Sequence, residues 1–93
     1  EGVDTDYKEA MKWYLLAAKG GNKDAPNNIG VFYMIGLGVP RNFEKAHTWF
    51  TIAGAGDSEA IRNKKFVEKK LTSDQLAESK RQAEEWRKIW LKR

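Results

Sequence analysis

The sequence predicts an all-α fold in which pairs of helices repeat along the chain. Apolar residues recur at spacings of three and four, and no stretch shows the alternating apolar and polar residues of a strand. Residues 2–18 also align without a gap on residues 38–54, at an offset of 36. A period of this length is typical of a solenoid whose unit is a pair of helices. We therefore expect an α-α superhelix.

The two copies of the repeat share small and aromatic residues. Five residue pairs are identical: Gly2 and Gly38, Val3 and Val39, Ala10 and Ala46, Trp13 and Trp49, and Ala17 and Ala53. Small residues allow helices to approach closely, and Gly30 within a helix, which costs about 1 kcal/mol relative to Ala, is best explained in this way. Large aromatic side chains should fill the core. We expect five of them there: Tyr14, Tyr33, Phe43, Trp49 and Phe50.

Polar residues that can cap helices predict where the first and third helices begin. Asp6 and Asn42 occupy equivalent positions in the two copies, and their side-chain oxygens can accept hydrogen bonds from the amides of a first turn. The predicted helices cover roughly 7–19 and 43–54.

The second helix is predicted over residues 25–35. Asp24 is its expected cap, and Pro26 falls within the first turn, where a missing N–H is tolerated. Gly36 should end this helix. Gly36 and Gly38 are predicted to supply the positive φ angles of a turn, because the stretch GLGVPRN lacks the spacing of a phosphate-binding loop.

Two further helices are predicted after residue 56. The fourth begins near Asp57 or Ser58 and runs towards Lys70, and the fifth covers about 73–91, with Thr72 and Gln75 at capping-box spacing. The fifth helix carries one seam at steps of three and four: Leu76, Ser79, Ala83, Trp86 and Trp90. We expect this seam to close the end of the solenoid. The alternative is that Trp90 anchors another protein.

No set of residues with catalytic or metal-binding spacing is apparent. His47 is the only histidine, its counterpart in the first copy is Met11, and no carboxylate or Cys stands at ligand spacing from it. Adjacent Glu84 and Glu85 point about 100° apart on a helix. The chain has no Cys, which excludes disulfides and thiolate chemistry but does not identify a compartment. We therefore expect neither enzymatic activity nor a cofactor.

The repeated pattern resembles that of the Sel-one-like repeat family, within the tetratricopeptide superfamily. The run G-V-x-x-[DN]-[YF]-x-x-A-x-x-W-[YF]-x-x-A occurs twice and is followed once by A-x-x-N-[IL]-G-x-x-Y-x-x-G-x-G-V. The second motif is carried by Ala25, Asn28, Ile29, Gly30, Tyr33, Gly36, Gly38 and Val39. The resemblance implies a scaffold or adaptor that binds proteins, and family members in bacteria often act in signalling, envelope processes or host interaction.

The resemblance also divides the chain and indicates a binding face. We expect four segments: half a repeat (2–24), a complete repeat (25–56), a degenerate repeat (57–71) and a capping helix (72–93). The first helix of each pair should line a concave surface that binds a protein or peptide. The expected contacts are Asn27, Val31 and Met34, with Arg62 equivalent to Asn27 after a shift of 35 residues.

Charge is unevenly distributed and suggests a second hypothesis. Residues 1–60 contain six basic and eight acidic residues, whereas residues 61–93 contain eleven and five. The basic half could bind nucleic acid or anionic lipids, with four residues as candidates: Lys64, Lys65, Arg81 and Lys88. We favour a solvated outer face instead, because the tryptophans of the last helix follow its apolar seam and do not alternate with cations on one face.

The first helix is expected to leave part of its surface bare. The chain opens with Glu1, which indicates a fragment of a longer repeat protein, so this helix lacks its preceding partner. Its face with Ala10, Trp13 and Ala17 could then mediate self-association or contact an upstream repeat. No run of apolar residues reaches the roughly eighteen needed to span a membrane.

Overall fold

The described part of the chain folds into five helices. The computed structural model describes the backbone of residues 2–54 and 56–91 and the side chains of residues 6–54 and 56–89. The helices are α1 (Gly2–Lys19), α2 (Ala25–Ile35), α3 (Phe43–Ala53), α4 (Ser58–Glu68) and α5 (Ser73–Leu91). The described residues contain no strand, and the predicted all-α helical-repeat fold is confirmed.

The first four helices pack in the order of the chain. α1 contacts α2, α2 contacts α3, and α3 contacts α4, while α2 and α4 also touch each other. α5 departs from this order, because it returns to pack against α3 rather than against α4. α3 is therefore in contact with α2, α4 and α5, and it forms the centre of the molecule.

α1 begins earlier than predicted. It starts at Gly2, so Asp6 lies within the helix and the prediction that it is an N-cap is wrong. The equivalent Asn42 does cap α3, where its side chain accepts a hydrogen bond from the amide of Lys45 at 2.9 Å. The difference follows from Pro40, which disfavours a helical conformation in the residue before it. The first copy has Asp4 at that position, so nothing there prevents the helix from extending.

α2 is capped by a residue that the sequence analysis missed. Asp24 has helical dihedral angles and makes no capping hydrogen bond, so its predicted role is wrong. Asn22 performs it, because its Oδ1 accepts from the amides of Asp24 at 2.8 Å and Ala25 at 3.0 Å. Pro26 lies in the first turn, as predicted. Gly36 ends the helix with φ of 89°, and its N–H donates to the carbonyl of Phe32 at 2.7 Å.

The caps of the last two helices agree with the sequence analysis. Asp57 accepts from the amide of Ala60 at 3.0 Å. Thr72 and Gln75 form a reciprocal capping box, with side-chain to amide distances of 3.1 Å and 2.9 Å. α4 ends at Glu68, two residues before the predicted Lys70.

The turn between α2 and α3 requires glycine for two reasons. Gly38 has φ of 70°, in the left-handed region that other residues rarely adopt. Its backbone also lies against α1, since a Cβ atom there would stand 2.8 Å from the carbonyl carbon of Tyr7. The stretch GLGVPRN therefore forms a turn in which Gly36 and Gly38 have positive φ angles, as predicted. The approach of this turn to the first helix was not predicted.

The close approach of α2 and α3 depends on Gly30. A Cβ atom at this position would lie at or within 3.0 Å of three ring carbons of Phe50, a side chain that is itself fully buried. The ring thus occupies the space that any larger residue at position 30 would need, which explains a glycine in the middle of a helix.

The core forms two clusters on either side of α3. One lies towards α1 and contains Met11, Ala18, Ala25, Ile29 and Trp49. The other lies towards α4 and contains Ala46, Phe50, Ala60 and Val67. Of the five aromatic residues predicted in the core, Trp49 and Phe50 are buried, whereas Tyr14, Tyr33 and Phe43 are partly buried. In the part of the chain that the structure describes, no helix is sufficiently long and apolar to cross a membrane.

α5 closes the side of α3 that the other helices leave open. Ser79 and Ala83 of its seam are buried, and the ring of Trp86 lies 5.7 Å from that of Trp49. Arg87 adds a hydrogen bond to the carbonyl of Thr51 at 2.7 Å. The side chain of Trp90, the predicted alternative anchor, lies outside the described residues. The described part of the seam covers α3 and leaves the far side of α4 uncovered.

Gly30→Ala should destabilise the fold by about 1–3 kcal/mol, because the buried Phe50 ring has no room to move away from an added methyl group. Urea denaturation measures this loss. Gly20→Ala is the matched control: its nearest non-neighbouring atom would be 3.5 Å away, and the change should stay within about 0.5 kcal/mol. An equal effect of the two substitutions would contradict the proposed contact.

Candidate interaction surface

One of the four predicted contact residues is placed differently from expectation. Asn27 is only 5% exposed, so its predicted position on an open face is wrong. It is covered because α4 packs beside α2, and the Nδ2 of Asn63 donates to its Oδ1 at 3.5 Å. This contact joins residues 36 apart in the chain, whereas Arg62, the predicted counterpart of Asn27 at an offset of 35, is exposed.

The other predicted contacts retain accessible surface. Val31 and Met34 are partly buried against the core cluster between α3 and α4, and Arg62 is exposed. On α2 the most open apolar side chain is Ile35, which is 55% exposed and which the sequence analysis did not single out. Asn27 thus contacts α4, while Val31, Met34 and Ile35 keep accessible surface on α2.

The most exposed side of α4 combines apolar and basic side chains. We call the five residues Ile61, Arg62, Lys65, Phe66 and Lys69 the outer face; all are exposed. Their steps of one, three, one and three place them on one side of a helix. The buried residues Ala60 and Val67 occupy the opposite side and contact α3.

The apolar members of the outer face were missed by sequence reasoning. Phe66 is 51% exposed, and the Nζ of Lys70 lies 5.4 Å from the centre of its ring. Their signal was present in the sequence: Ile61 and Phe66 fall off the Ala60–Val67 stripe, and a helix that presents apolar residues on both sides has a second surface to cover. The sequence analysis predicts only a degenerate repeat for this stretch.

The positive charges of the outer face are not neutralised locally. Within the described residues, no carboxylate lies within 4.0 Å of Arg62, Lys65 or Lys69. The one acidic residue in the second half of α4, Glu68, points instead to His47, with Oε2 2.9 Å from Nε2. The outer face therefore attracts negative charge from outside the chain.

A cleft of about 410 Å³ lies next to the outer face. It separates the end of α3 from α4, and Ile61 and Lys65 stand at its rim. Its remaining lining is mixed: Phe50, Thr51, Gly54, Lys64, Glu68 and Arg87. The cleft gives an otherwise convex helix a concave edge that can receive a side chain.

A larger groove lies elsewhere and has a balanced charge. It has a volume of about 1170 Å³ and runs between the loop that precedes α2 and the loop that precedes α4. Its ionisable lining residues are Lys19, Lys23, Arg87, Asp24, Asp57 and Glu59. Three cations and three carboxylates select for no charge class, so this groove is less specific than the outer face.

The four basic residues that were proposed to bind nucleic acid differ in their exposure and in their ion-pair partners. Arg81 donates two hydrogen bonds to Glu78, at 2.6 Å and 3.1 Å, and this contact lowers the pKa of Glu78 to about 2. Its charge is therefore matched by a carboxylate. Lys88 is exposed on α5, whereas Lys64 is partly buried and Lys65 belongs to the outer face. Free cations are thus concentrated on α4.

The ring of His47 contacts side chains that are distant from it in the sequence. The side chain is fully buried, with Nδ1 2.5 Å from the Oγ of Ser79 and Nε2 2.9 Å from Glu68. The inference that His47 lacks a carboxylate partner is therefore wrong, because folding brings Glu68 and Ser79 to it from two other helices. A neutral ring satisfies both contacts, since Nε2–H donates to the carboxylate and Nδ1 accepts from the hydroxyl.

This Ser–His–Glu arrangement cannot act on a substrate. Ser79 is fully buried, and its Oγ also accepts a hydrogen bond from Thr48 at 3.2 Å. A nucleophile must reach a substrate atom, which this hydroxyl cannot do. The cluster instead joins α3, α4 and α5. In the described part of the chain, no group of three His, Asp or Glu residues is arranged to hold a metal ion.

The His47 cluster should make stability depend on pH. Burial lowers the pKa of His47 below its ordinary 6.5; the contact with Glu68 opposes this shift, and the charges of Lys64 and Lys80 add to it. At pH values between the lowered pKa and 6.5, the unfolded chain binds more protons than the folded chain does. The contribution of His47 to the free energy of unfolding should therefore be fully present above pH 6.5. It should decrease as the pH falls below that value.

Urea midpoints measured between about pH 8 and about pH 5 test this dependence. His47→Gln keeps a polar side chain but cannot titrate in this range, so its midpoint should change less over the same interval. Parallel curves for the two chains would contradict a neutral, buried His47.

The comparisons with known proteins place the chain in a family. The family model of the Sel1 repeat matches residues 1–22 and 24–58, which together are more than half of the chain. Searches of curated proteins and of solved structures gave no significant match. Sel1 repeats are helical repeats that generally mediate protein–protein interactions and are not catalytic. With its helix pairs and its two matching segments, the chain belongs to the Sel1 repeat family.

Proposed function

We propose that this chain is a non-enzymatic scaffold or adaptor module that binds a protein or peptide across α2 and α4. The observation that carries the proposal is the exposure of large apolar side chains on both helices, Ile35 at 55% and Phe66 at 51%. Exposed apolar side chains beside charged ones are typical of a surface that a partner covers.

The pairing of α2 with α4 supports a shared surface. Asn27 and Asn63 lie one repeat apart and hold the two helices side by side. Val31, Met34 and Arg62 therefore remain proposed contacts, now joined by Ile35 and Phe66. Asn27 supports the surface from within, so its substitution should weaken binding only through stability.

The chemistry of the surface indicates how it would bind. Removing the apolar side chains from water is the main favourable contribution, roughly 25 cal/mol for each Å², and it must exceed the cost of ordering the two partners. Cations at the rim mainly accelerate association and select partners by charge. A few central residues are expected to dominate, because interface energies concentrate in such positions.

A second candidate function is binding to nucleic acid or anionic membranes through the C-terminal helices. The cations of the outer face favour it, since no described carboxylate neutralises them. Two observations weigh against it: Arg81 is paired with Glu78, and Trp86 packs on Trp49 rather than presenting a ring for base stacking. The protein-binding function is therefore preferred.

Selection of peptides from a displayed library with the purified chain tests the proposed function. Ile35→Ser and Arg62→Ala should each weaken a selected peptide by about five-fold to fifty-fold, in proportion to a loss of roughly 1–2 kcal/mol. Lys12→Ala, at an exposed site on α1, is the matched control and should leave affinity unchanged. Circular dichroism confirms that each variant is folded.

Two results would argue against this function. One is a library that yields no specific peptide. The other is tighter binding to an oligonucleotide or to liposomes with anionic lipids, with an affinity that falls steeply as salt is added. The second result would support the alternative function.

We also propose that α1 mediates self-association. Trp13 is 63% exposed, whereas its counterpart Trp49 is 5% exposed and covered by neighbouring helices, and Leu16 is exposed near Trp13. Ala10 and Ala17, expected on the same bare face, are partly buried. Burying an apolar patch of this kind favours association.

Light scattering over a range of protein concentrations measures this association. The average mass should rise with concentration, and Trp13→Ser should reduce the rise. A chain that stays monomeric at the highest concentration would exclude α1 as a self-association surface.

A further inference from the structure

We infer that the outer face of α4 binds an acidic segment that carries large apolar side chains. This inference rests on the proposed protein-binding function and specifies the chemistry of the partner.

The electrostatics of the outer face select for acidic residues. Arg62, Lys65 and Lys69 lie on one side of α4, all exposed, and no described carboxylate is within ion-pair distance of them. Glu68 is held away from this side by its contact with the buried His47. A basic or neutral partner would leave three cations uncompensated when it covered them, which is costly. Carboxylates on the partner would compensate them.

The apolar residues at the two edges of the outer face require apolar side chains on the partner in addition to acidic ones. Phe66 and Ile61 flank the three cations and are separated by five residues, which is about 7.5 Å along the helix axis. Ile61 also stands at the rim of the cleft of about 410 Å³, into which a partner side chain could insert. A purely acidic chain would leave these surfaces in water, so the fitting partner carries leucine, isoleucine or aromatic residues among its acids.

The path of α5 explains why the outer face is available. On α2, the side towards the following helix is covered, because Phe50 of α3 lies against Gly30. A second complete hairpin would cover α4 in the same way. α5 instead packs on α3 through Ser79 and Trp86, so no described part of the chain covers the outer face.

A nucleic acid fits this face less well than an acidic peptide. Three cations over about two helical turns would neutralise only a few phosphates, and the electrostatic affinity for a nucleic acid increases with the number of phosphates that are neutralised. Ile61 has no ring, and the ring of Phe50, which lines the cleft, is buried, so neither offers a surface on which a base could stack. Phe66 alone could do so, and an oligonucleotide therefore belongs among the probes.

Fluorescence anisotropy with three labelled peptides of about twelve residues tests the inference. The first alternates Glu or Asp with Leu and Phe, the second replaces its acids by Gln and Asn, and the third replaces its apolar residues by Ser. The first should bind at least about ten-fold more tightly than either of the others. Its affinity should also fall as salt rises from about 50 mM to about 200 mM.

Variants of the outer face locate the binding. Lys65→Glu and Phe66→Ser should each weaken the first peptide by about ten-fold or more. Lys12→Glu on α1 changes the net charge as Lys65→Glu does and should have little effect. Equal binding of the acidic and neutral peptides, insensitivity to Lys65→Glu, or tighter binding of an oligonucleotide of similar length would each overturn the inference.

The peptide library separates this inference from the proposed function. If the library yields binders that contain no acidic residues, or that respond to Ile35→Ser but not to Phe66→Ser, the outer face is not their site and only the inference fails. If neither the library nor the designed peptides bind, the protein-binding function fails as well.

Discussion

The fold depends on the packing of the Phe50 ring against the backbone of Gly30. This contact brings α2 and α3 close together, and it places the rest of α3 where α4 and α5 can reach it. Both core clusters then include residues of α3, Trp49 in one and Phe50 in the other. Because α3 contacts three other helices and contributes to both core clusters, a substitution at the contact between Gly30 and Phe50 should lower the stability of the whole domain.

The position of α5 covers α3 and leaves the outer face of α4 exposed. It fixes α3 through the buried His47–Ser79 contact and through the packing of Trp86 on Trp49. A helix that followed the repeat would have packed on α4, whereas α5 packs mainly on α3. Because α5 packs elsewhere, α4 presents a basic and apolar outer face, and the way the repeat ends determines where a partner can bind.

The sequence predicted features that depend on neighbouring residues and missed those that depend on distant ones. Asn42, Thr72 and Gln75 act within their own first turns, so local spacing was sufficient to identify them. The burial of Asn27 and the partners of His47 arise from how α4 and α5 pack, which no local pattern encodes. Gly30 lies between these cases: the cost of glycine in a helix predicted a close contact, but only the structure identified Phe50 as the partner.

The two sides of α4 differ sharply in their access to solvent, since Phe66 is 51% exposed and Val67 is fully buried. Because the chain has no native Cys, thiol labelling of Phe66→Cys and Val67→Cys, two adjacent positions, measures this difference directly. The thiol at position 66 should react about as fast as in an unfolded peptide, and the thiol at position 67 slower by roughly a hundred-fold or more, since it becomes accessible only when the structure opens. Similar protection at both positions would show that another part of the molecule covers the outer face and would contradict the account.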